Sequence, residues 1–420
     1  MLVPVKSLNL ELAWRYVIGR RRAMTMSLFG IVLGIAFFVI TQAQTSGFEA
    51  FFIRTILGTN GAIRISDRFQ DMHGTVSSKS TNGKTRFHFQ SREGARYTEG
   101  IAHPTLLRNA LRRFPQVTGV SEILEGNAIL SGSSRSQTIE FQGISLQEHI
   151  MVSDIEDQVI RGAIDSFSFD PMGILLGHRI AQRLMIEVGD RVTLKGGTGN
   201  IQLRVAGLFE TGVSQIDKNR AYIHLANAKA FLGKRFSGSV FQLSISDPDK
   251  APEIASQIQE TIGHRVISWQ EREKVWLDVF KALRISSALT VSSILLLSGL
   301  GIFNVFAIMV IEKNRDIAIL RSMGFKPSDT SAIFLWQGAI VLVAGVFFGS
   351  LIGMLSTYGI SNIPLRIRGI FSTDSFVVNW DASHYLWAIM ISVIFVSIAS
   401  WIPARRAARI EPARIIRETL

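Results

Sequence analysis

Eight histidines and no cysteine stand among 420 residues. None of the histidines falls in an H-E-x-x-H pair or any other metal-ligand spacing, and the absence of thiolates argues against a zinc site. A hydrolytic serine would sit in a G-x-S-x-G elbow, and a phosphate cradle would read G-x-x-x-x-G-K-[ST]; neither occurs. The Gly cluster in KGGTGN is therefore a turn, and no residue receives a catalytic role. What remains is mechanical. The stretch EKNRDIAILRSMG, residues 312–324, lies between two long uncharged apolar runs. Ile317, Leu320 and Gly324 recur at i, i+3 and i+7 with Ile319 and Met323 adjacent, giving a helix one apolar face. Glu312 and Asp316 suit its N-terminal turn, Arg321 its C-terminal turn, and Gly324 its stop. Connections between antiparallel spans need only a few polar residues. A longer amphipathic element is expected to dock on a soluble partner.

The flanking runs explain why such an element exists. Four stretches carry no Asp, Glu, Lys or Arg: Ala23 to Phe48, Ile285 to Ile311, Thr330 to Leu365, and Ala382 to Ala404. Crossing the hydrocarbon core takes about 20 apolar residues, so each is expected to span, the third as a tilted helix plus a partly buried connection. The net charge is +12, and +9 of it lies in residues 1–22, 312–326 and 405–420. Basic residues beside spans mark the cytoplasmic side. Both termini and the 312–326 segment are thus expected inside, with 49–275 and 361–381 outside. Because the excess charge sits at membrane flanks, it argues against nucleic-acid binding. The apolar stretch after Arg20–Arg22 is too long for a signal peptide and lacks an A-x-A site.

Residues 7–19 place Leu8, Leu12 and Tyr16 on one stripe and read as an interfacial helix. Residues 66–100 read as a long polar loop. Beyond it come two strand–helix–strand patterns, in about 60–136 and 236–270, separated by a β-rich insert of about 137–235. In the insert, GDRVTLKGGTGNIQLRVAGLFE reads as a hairpin. Residues after Trp269 are expected to extend the second span outward as a stalk, 276–311. The expected class is a four-span α-helical membrane protein with a large extracytoplasmic α+β domain: spans 23–48, 276–311, 327–360 and 382–404, and a tail of 405–420. The apolar cores of the spans offer only neutral polar groups such as Gln42, Gln44, Asn304 and Gln337, and no Asp, Glu, Lys or Arg. Coupling to an ion gradient is therefore poorly supported, and if the protein does work its energy is expected from a partner.

NVFAIMVIEKNRDIAILRSMGF and PARRAARIEPARIIR resemble segments of the MacB/FtsX/lipoprotein-releasing group of ABC transporter permeases. So do GILLGHRIAQRLMIEVGDRVTL and DPDKAPEIASQIQE in the external region. The resemblance covers nearly the whole chain. It implies that residues 312–324 are a coupling helix, with Glu312, Arg315, Ile317, Leu320, Arg321 and Gly324 passing on nucleotide-driven movement. It further implies two copies of a separate ATPase that bind ATP and Mg, a second permease subunit, no cofactor in this chain, and a lipidated or amphiphilic substrate taken from membrane lipid. Phe37, Phe38, Phe48, Phe51 and Phe52 are candidates to line its cavity. The family also contains FtsX-like relays that regulate an envelope partner without transport. Permeases that hand lipoprotein to a soluble periplasmic carrier bear a long hook loop; here that turn is only Lys195–Asn200, and the 66–100 loop has no match.

Overall fold

The computed structural model describes residues 5–19, 21–67, 80–81, 84–85, 101, 103–196, 199–233, 239–363 and 376–409. It divides into two compact units: a membrane unit of 1–50, 278–365 and 375–420, and a head of 51–277 with 366–374. Most of the 66–100 loop and the tail after 409 lie outside the described residues.

Among the described residues, four helices are long and apolar enough to cross a membrane. The first-span helix runs Arg21–Asn60 without a break, 40 residues, or about 60 Å. That is twice a hydrocarbon core of about 30 Å, so the helix runs on well past Phe48, where the span is expected to end. The reason is local: nothing after Phe48 breaks a helix until Gly61, whose φ of +65° only glycine adopts cheaply. The second-span helix runs Lys274–Glu312 and joins the expected stalk to its span. The third-span helix is one element, Pro327–Ser361, with no separate connection inside it. The fourth, Ala382–Ala408, contains Pro403 and continues four residues past Ala404, where the span is expected to end. An N-terminal helix, Val5–Gly19, packs along the third.

The membrane unit has its own core, including Ile31, Ile35, Val39, Leu295, Phe306, Phe334 and Val396. Close helix approach comes from glycine. A methyl group at Gly345, Gly349 or Gly353 of the third span would sit 2.6, 2.8 or 3.2 Å from Ile31, Ile35 or Val39 of the first. Of the neutral polar groups, Gln42 donates to Ser287 Oγ at 3.3 Å, tying first span to second as interhelical hydrogen bonds do.

In the head, ten strands form one sheet: β1 Ile63–Ser66, β2 Val117–Ser131, β3 Ser136–Ile144, β4 Val159–Gly162, β5 Gly173–Gly177, β6 Arg191–Gly196, β7 Gly199–Phe209, β8 Arg220–His224, β9 Ser239–Ile245 and β10 Arg265–Ser268. Their order is β10-β1-β9-β2-β3-β8-β5-β7-β4, and β6 bridges β2 and β7. The expected hairpin is β6–β7, with Lys195 opposite Asn200. Halves and insert share the sheet because β2 has fifteen residues: its first part pairs β9 and its last part pairs β3 and β6. Glu122 in β2, nearly buried, takes Arg108 at 2.6 Å and Lys229 at 2.8 Å, joining helices Pro104–Leu111 and Leu225–Leu232 to one strand.

Period-two alternation divides the sheet. Ile63, Ile65, Val120, Phe241 and Leu243 lie with helices Pro104–Leu111 and Ala251–Ile262, and Leu124, Leu130, Phe141, Ile174 and Leu203 with helix His178–Leu184. The opposite face is half apolar, around Ile123, Phe209 and Tyr222, and half polar, with Arg64, Gln242 and Ser121 side by side in register. His149, fully buried, sits over this polar part, its Nδ1 3.3 Å from Ser121 Oγ. Burial, and then Arg220, pull the imidazole down to about 3. Burial pushes the Asp217 carboxyl up to about 6 against two hydrogen bonds from Thr211, each 2.8 Å.

These two groups act in opposite directions. The unfolded imidazole titrates near 6.5 and the folded one near 3, so the unfolded state binds the extra proton in between. His149 withdraws stability as pH falls through that window, about 2 kcal/mol by pH 5. The Asp217 charge costs stability above pH 6, and that cost is relieved as pH falls toward 3.8. Amide exchange of the strands in the full-length chain in lipid nanodiscs separates them. From pH 7 to 5, D217N should lose about 2 kcal/mol of protection and H149Q should gain about 1; parallel profiles would refute the assignment.

Candidate coupling site

The second-span helix ends at Glu312, and Lys313 (φ −93°, ψ 10°) begins a separate helix, Asn314–Ser322. The turn is held from several sides. Lys313 Nζ reaches Asp316 Oδ2 at 2.7 Å and lies 5.4 Å from the Tyr16 ring centre of the N-terminal helix. The Asp316 hydrogen bond raises the Lys313 ammonium above its ordinary range. At the far end, Gly324 takes φ +98°, Phe325 N donates to Leu320 O at 3.2 Å, and Lys326 N donates to Asp329 Oδ2 at 3.0 Å to open the third-span helix. Arg321 Nη1 donates to Ala408 O at 3.2 Å, placing a cation on the negative end of the fourth-span helix.

The connecting helix has two apolar sides. Ile317 and Ala318 are buried in the membrane unit, at 2% and 0% exposure. Leu320 and Arg321 are half-buried. Outward stand Arg315, Ile319 and Met323, spaced by four, the last two 48% and 73% exposed. Glu312 and Gly324 are also exposed. This corrects the sequence reading in one respect. Ile317 cannot enter a partner's groove, because its side chain already fills the protein's own core. Ile319 and Met323, read as neighbours of the stripe, are the exposed apolar pair. Period alone reveals two candidate stripes and not which faces out.

The N-terminal helix repeats the pattern. Tyr16 packs on the membrane-unit core and Leu12 is half-buried, while Leu10, Trp14 and Ile18, again spaced by four, are 42%, 54% and 40% exposed. Of the expected stripe, Leu12 and Tyr16 are thus half-buried, and the Leu8 side chain lies outside what the structure describes.

The five phenylalanines do not converge on a cavity. Phe38 is buried in the membrane-unit core, and Phe52 is buried against Trp276 with ring centres 5.5 Å apart. Phe48 meets Phe376 edge-on at 5.6 Å, and Phe51 is half-buried. Phe37 alone of the five is exposed, at 50%. The cause is helical geometry: adjacent residues point about 100° apart, so Phe37 and Phe38 cannot share a surface. A cavity of about 230 Å³ lies in the head, among Arg161, His178, Gln182, Met185, Glu187 and Leu208, and none of the five lines it.

The profile of the MacB-like periplasmic core domain matches residues 24–261, and that of the FtsX-like permease C-terminal domain matches 288–412. The chain is 26% identical to the lipoprotein-releasing system transmembrane protein LolC of Xylella fastidiosa, over 98% of each protein. It is 23% identical to LolE of Haemophilus influenzae over 96% of this chain and 98% of that one. To the macrolide export ATP-binding/permease protein MacB of Pasteurella multocida it is 25% identical, over 72% of this chain and 46% of that one. A solved periplasmic region of MacB from Actinobacillus actinomycetemcomitans, 15% identical, covers 53% of this chain and 94% of its own at a TM-score of 0.34. With four apolar helices, a mixed-sheet head inserted after the first, and both profiles in order, the protein belongs to the ABC transporter permeases that join a MacB-like periplasmic core domain to an FtsX-like C-terminal domain.

Proposed function

We propose that this chain is the permease subunit of an ATP-driven machine that withdraws a lipidated or amphiphilic substrate from the membrane. Similarity to LolC and LolE along almost the whole length supports the substrate class. The observation that carries the energy source is the outward stripe Arg315–Ile319–Met323 on a pinned, separate helix. Two large apolar side chains there need a protein groove, which two copies of a separate ATPase would supply, holding ATP and Mg. A second permease subunit, the same chain or a relative, completes the assembly. The chain itself performs no hydrolysis. Both termini and the connecting helix face the cytoplasm of a bacterial inner membrane, and the basic flanks support that orientation.

The substrate path begins at the first span, where Phe37 presents its ring outward. With its ATPase in nanodiscs, the chain should hydrolyse ATP several-fold faster when a dipalmitoyl lipopeptide is added. A photo-reactive side chain at position 37 should cross-link to that lipopeptide. A second reading is an FtsX-like relay, favoured by the tight β6–β7 hairpin, which leaves no extended hook for a soluble carrier. Absence of both stimulation and cross-link, with co-purification of a periplasmic enzyme, would replace transport by the relay.

A further inference from the structure

The first-span helix ends inside the head, since the units divide after Ala50. The last four carbonyls of a helix have no partner within it, and they carry the negative end of its dipole. Here two of the four, those of Leu57 and Gly58, are claimed. Leu57 O accepts from Gly61 N at 3.0 Å, and Gly58 O from Asp154 N at 2.7 Å and Gln158 Nε2 at 3.4 Å. Just beyond, Arg220 Nη1 donates to Asn60 Oδ1 at 2.7 Å, Arg272 Nη2 to Gly61 O at 3.3 Å, and Trp269 N to Ala62 O at 2.8 Å.

The two arginines come from different places. Arg220 opens β8, in mid-sheet between β3 and β5. Arg272, its side chain 18% exposed, closes the short turn Trp269–Arg272, two residues before the second-span helix begins. It also pairs with Glu273 at 3.1 Å. One residue thus fastens the end of the first-span helix to the sheet, and the other fastens it to the start of the second-span helix.

The fastening is not built for stability alone. Arg220 Nε, Arg272 Nη1 and, in the sheet beside Arg64, both amide atoms of Gln242 are buried without a hydrogen-bond partner among the described residues. Each such group lowers stability, and apolar side chains of similar shape often serve a static joint as well or better.

We infer that Arg220 and Arg272 are positioning residues for the permease cycle: they lock the outer ends of the first two span helices to the sheet, so that helix displacement is delivered to the head. This rests on the permease reading. The chain lacks cysteine, so spin labels introduced by R54C, on the first-span helix, and Q202C, on β7, report the joint directly; both sites are exposed.

In nanodiscs, the labelled chain should give a narrow distance distribution. R220M/R272M should at least double its width while amide protection of β3 and β7 stays intact. With the ATPase present, the double variant should hydrolyse ATP within twofold of the parent but release a dipalmitoyl lipopeptide at least tenfold more slowly. R220K/R272K, which keeps the charge, should lie between. If the double variant loses strand protection, R272M alone takes its place, since it leaves the sheet residue untouched. An unchanged width, or release that falls only in proportion to hydrolysis, overturns the joint. A broadened width together with a parent assembly that releases no lipopeptide upholds the fastening and removes the permease reading instead.

Discussion

I319D/M323D is expected to abolish productive docking of the ATPase while leaving the membrane unit folded. Both side chains project from the connecting helix, 48% and 73% exposed, so aspartate there disturbs little packing within the chain. In a partner's groove the same change buries two carboxylates against an apolar wall. Hot-spot losses of that kind run to about 2–4 kcal/mol, so affinity should drop on the order of a hundredfold, about 2.7 kcal/mol. Co-purification from detergent and hydrolysis in nanodiscs measure it. I317A is the control with the opposite signature. Ile317 is buried among the span residues, and truncating it removes packing worth about 2–5 kcal/mol. That variant should unfold more readily yet still bind ATPase when folded. An I319D/M323D chain that retains its ATPase at wild-type affinity would remove the docking assignment.

The same contrast shows what could be read before the structure. The four spans were legible because absence of charge over a bilayer-crossing length is a one-dimensional property. The β6–β7 hairpin was legible too, since alternation and a Gly-rich turn are both local. Helix ends were not: the first-span helix passes Phe48 because no residue stops it before Gly61, and an end inside a folded head obeys capping, not hydropathy. The face of the connecting helix was half legible. Period located Ile317, Ile319, Leu320 and Met323, but the choice between inward and outward depends on spans hundreds of residues away. The parallel pairings of β8 with β3 and β5 with β7 join segments separated by other strands, and no local pattern announces them. Arg220 and Arg272 left no trace in the sequence, since each matters only through a helix end far along the chain. One signal was present and passed over: GVFFGSLIG places Gly345, Gly349 and Gly353 four residues apart.

That spacing carries the other large expected effect. Glycines at i, i+4 and i+8 form one stripe along a helix, and in lipid such stripes let backbones come close enough for dispersion to hold them. Here the stripe lies against Ile31, Ile35 and Val39, which follow the same period on the first-span helix. At Gly349 a new Cβ would stand 2.8 Å from Ile35 Cβ and 3.1 Å from Val32 O. Neither is the far end of a flexible chain, so the helices themselves must part. G349L should therefore cost more than the usual overpacking penalty of about 1–3 kcal/mol, and thermal unfolding in detergent should show it as a fall of many degrees. G359L, on the same helix with open space around the new side chain, should be nearly neutral. Because the first-span helix is also the rod fastened at Arg220 and Arg272, displacing it ought to impair ATP-driven release even at temperatures where the chain stays folded. A G349L chain as stable and active as G359L would mean that the two helices do not meet along this stripe.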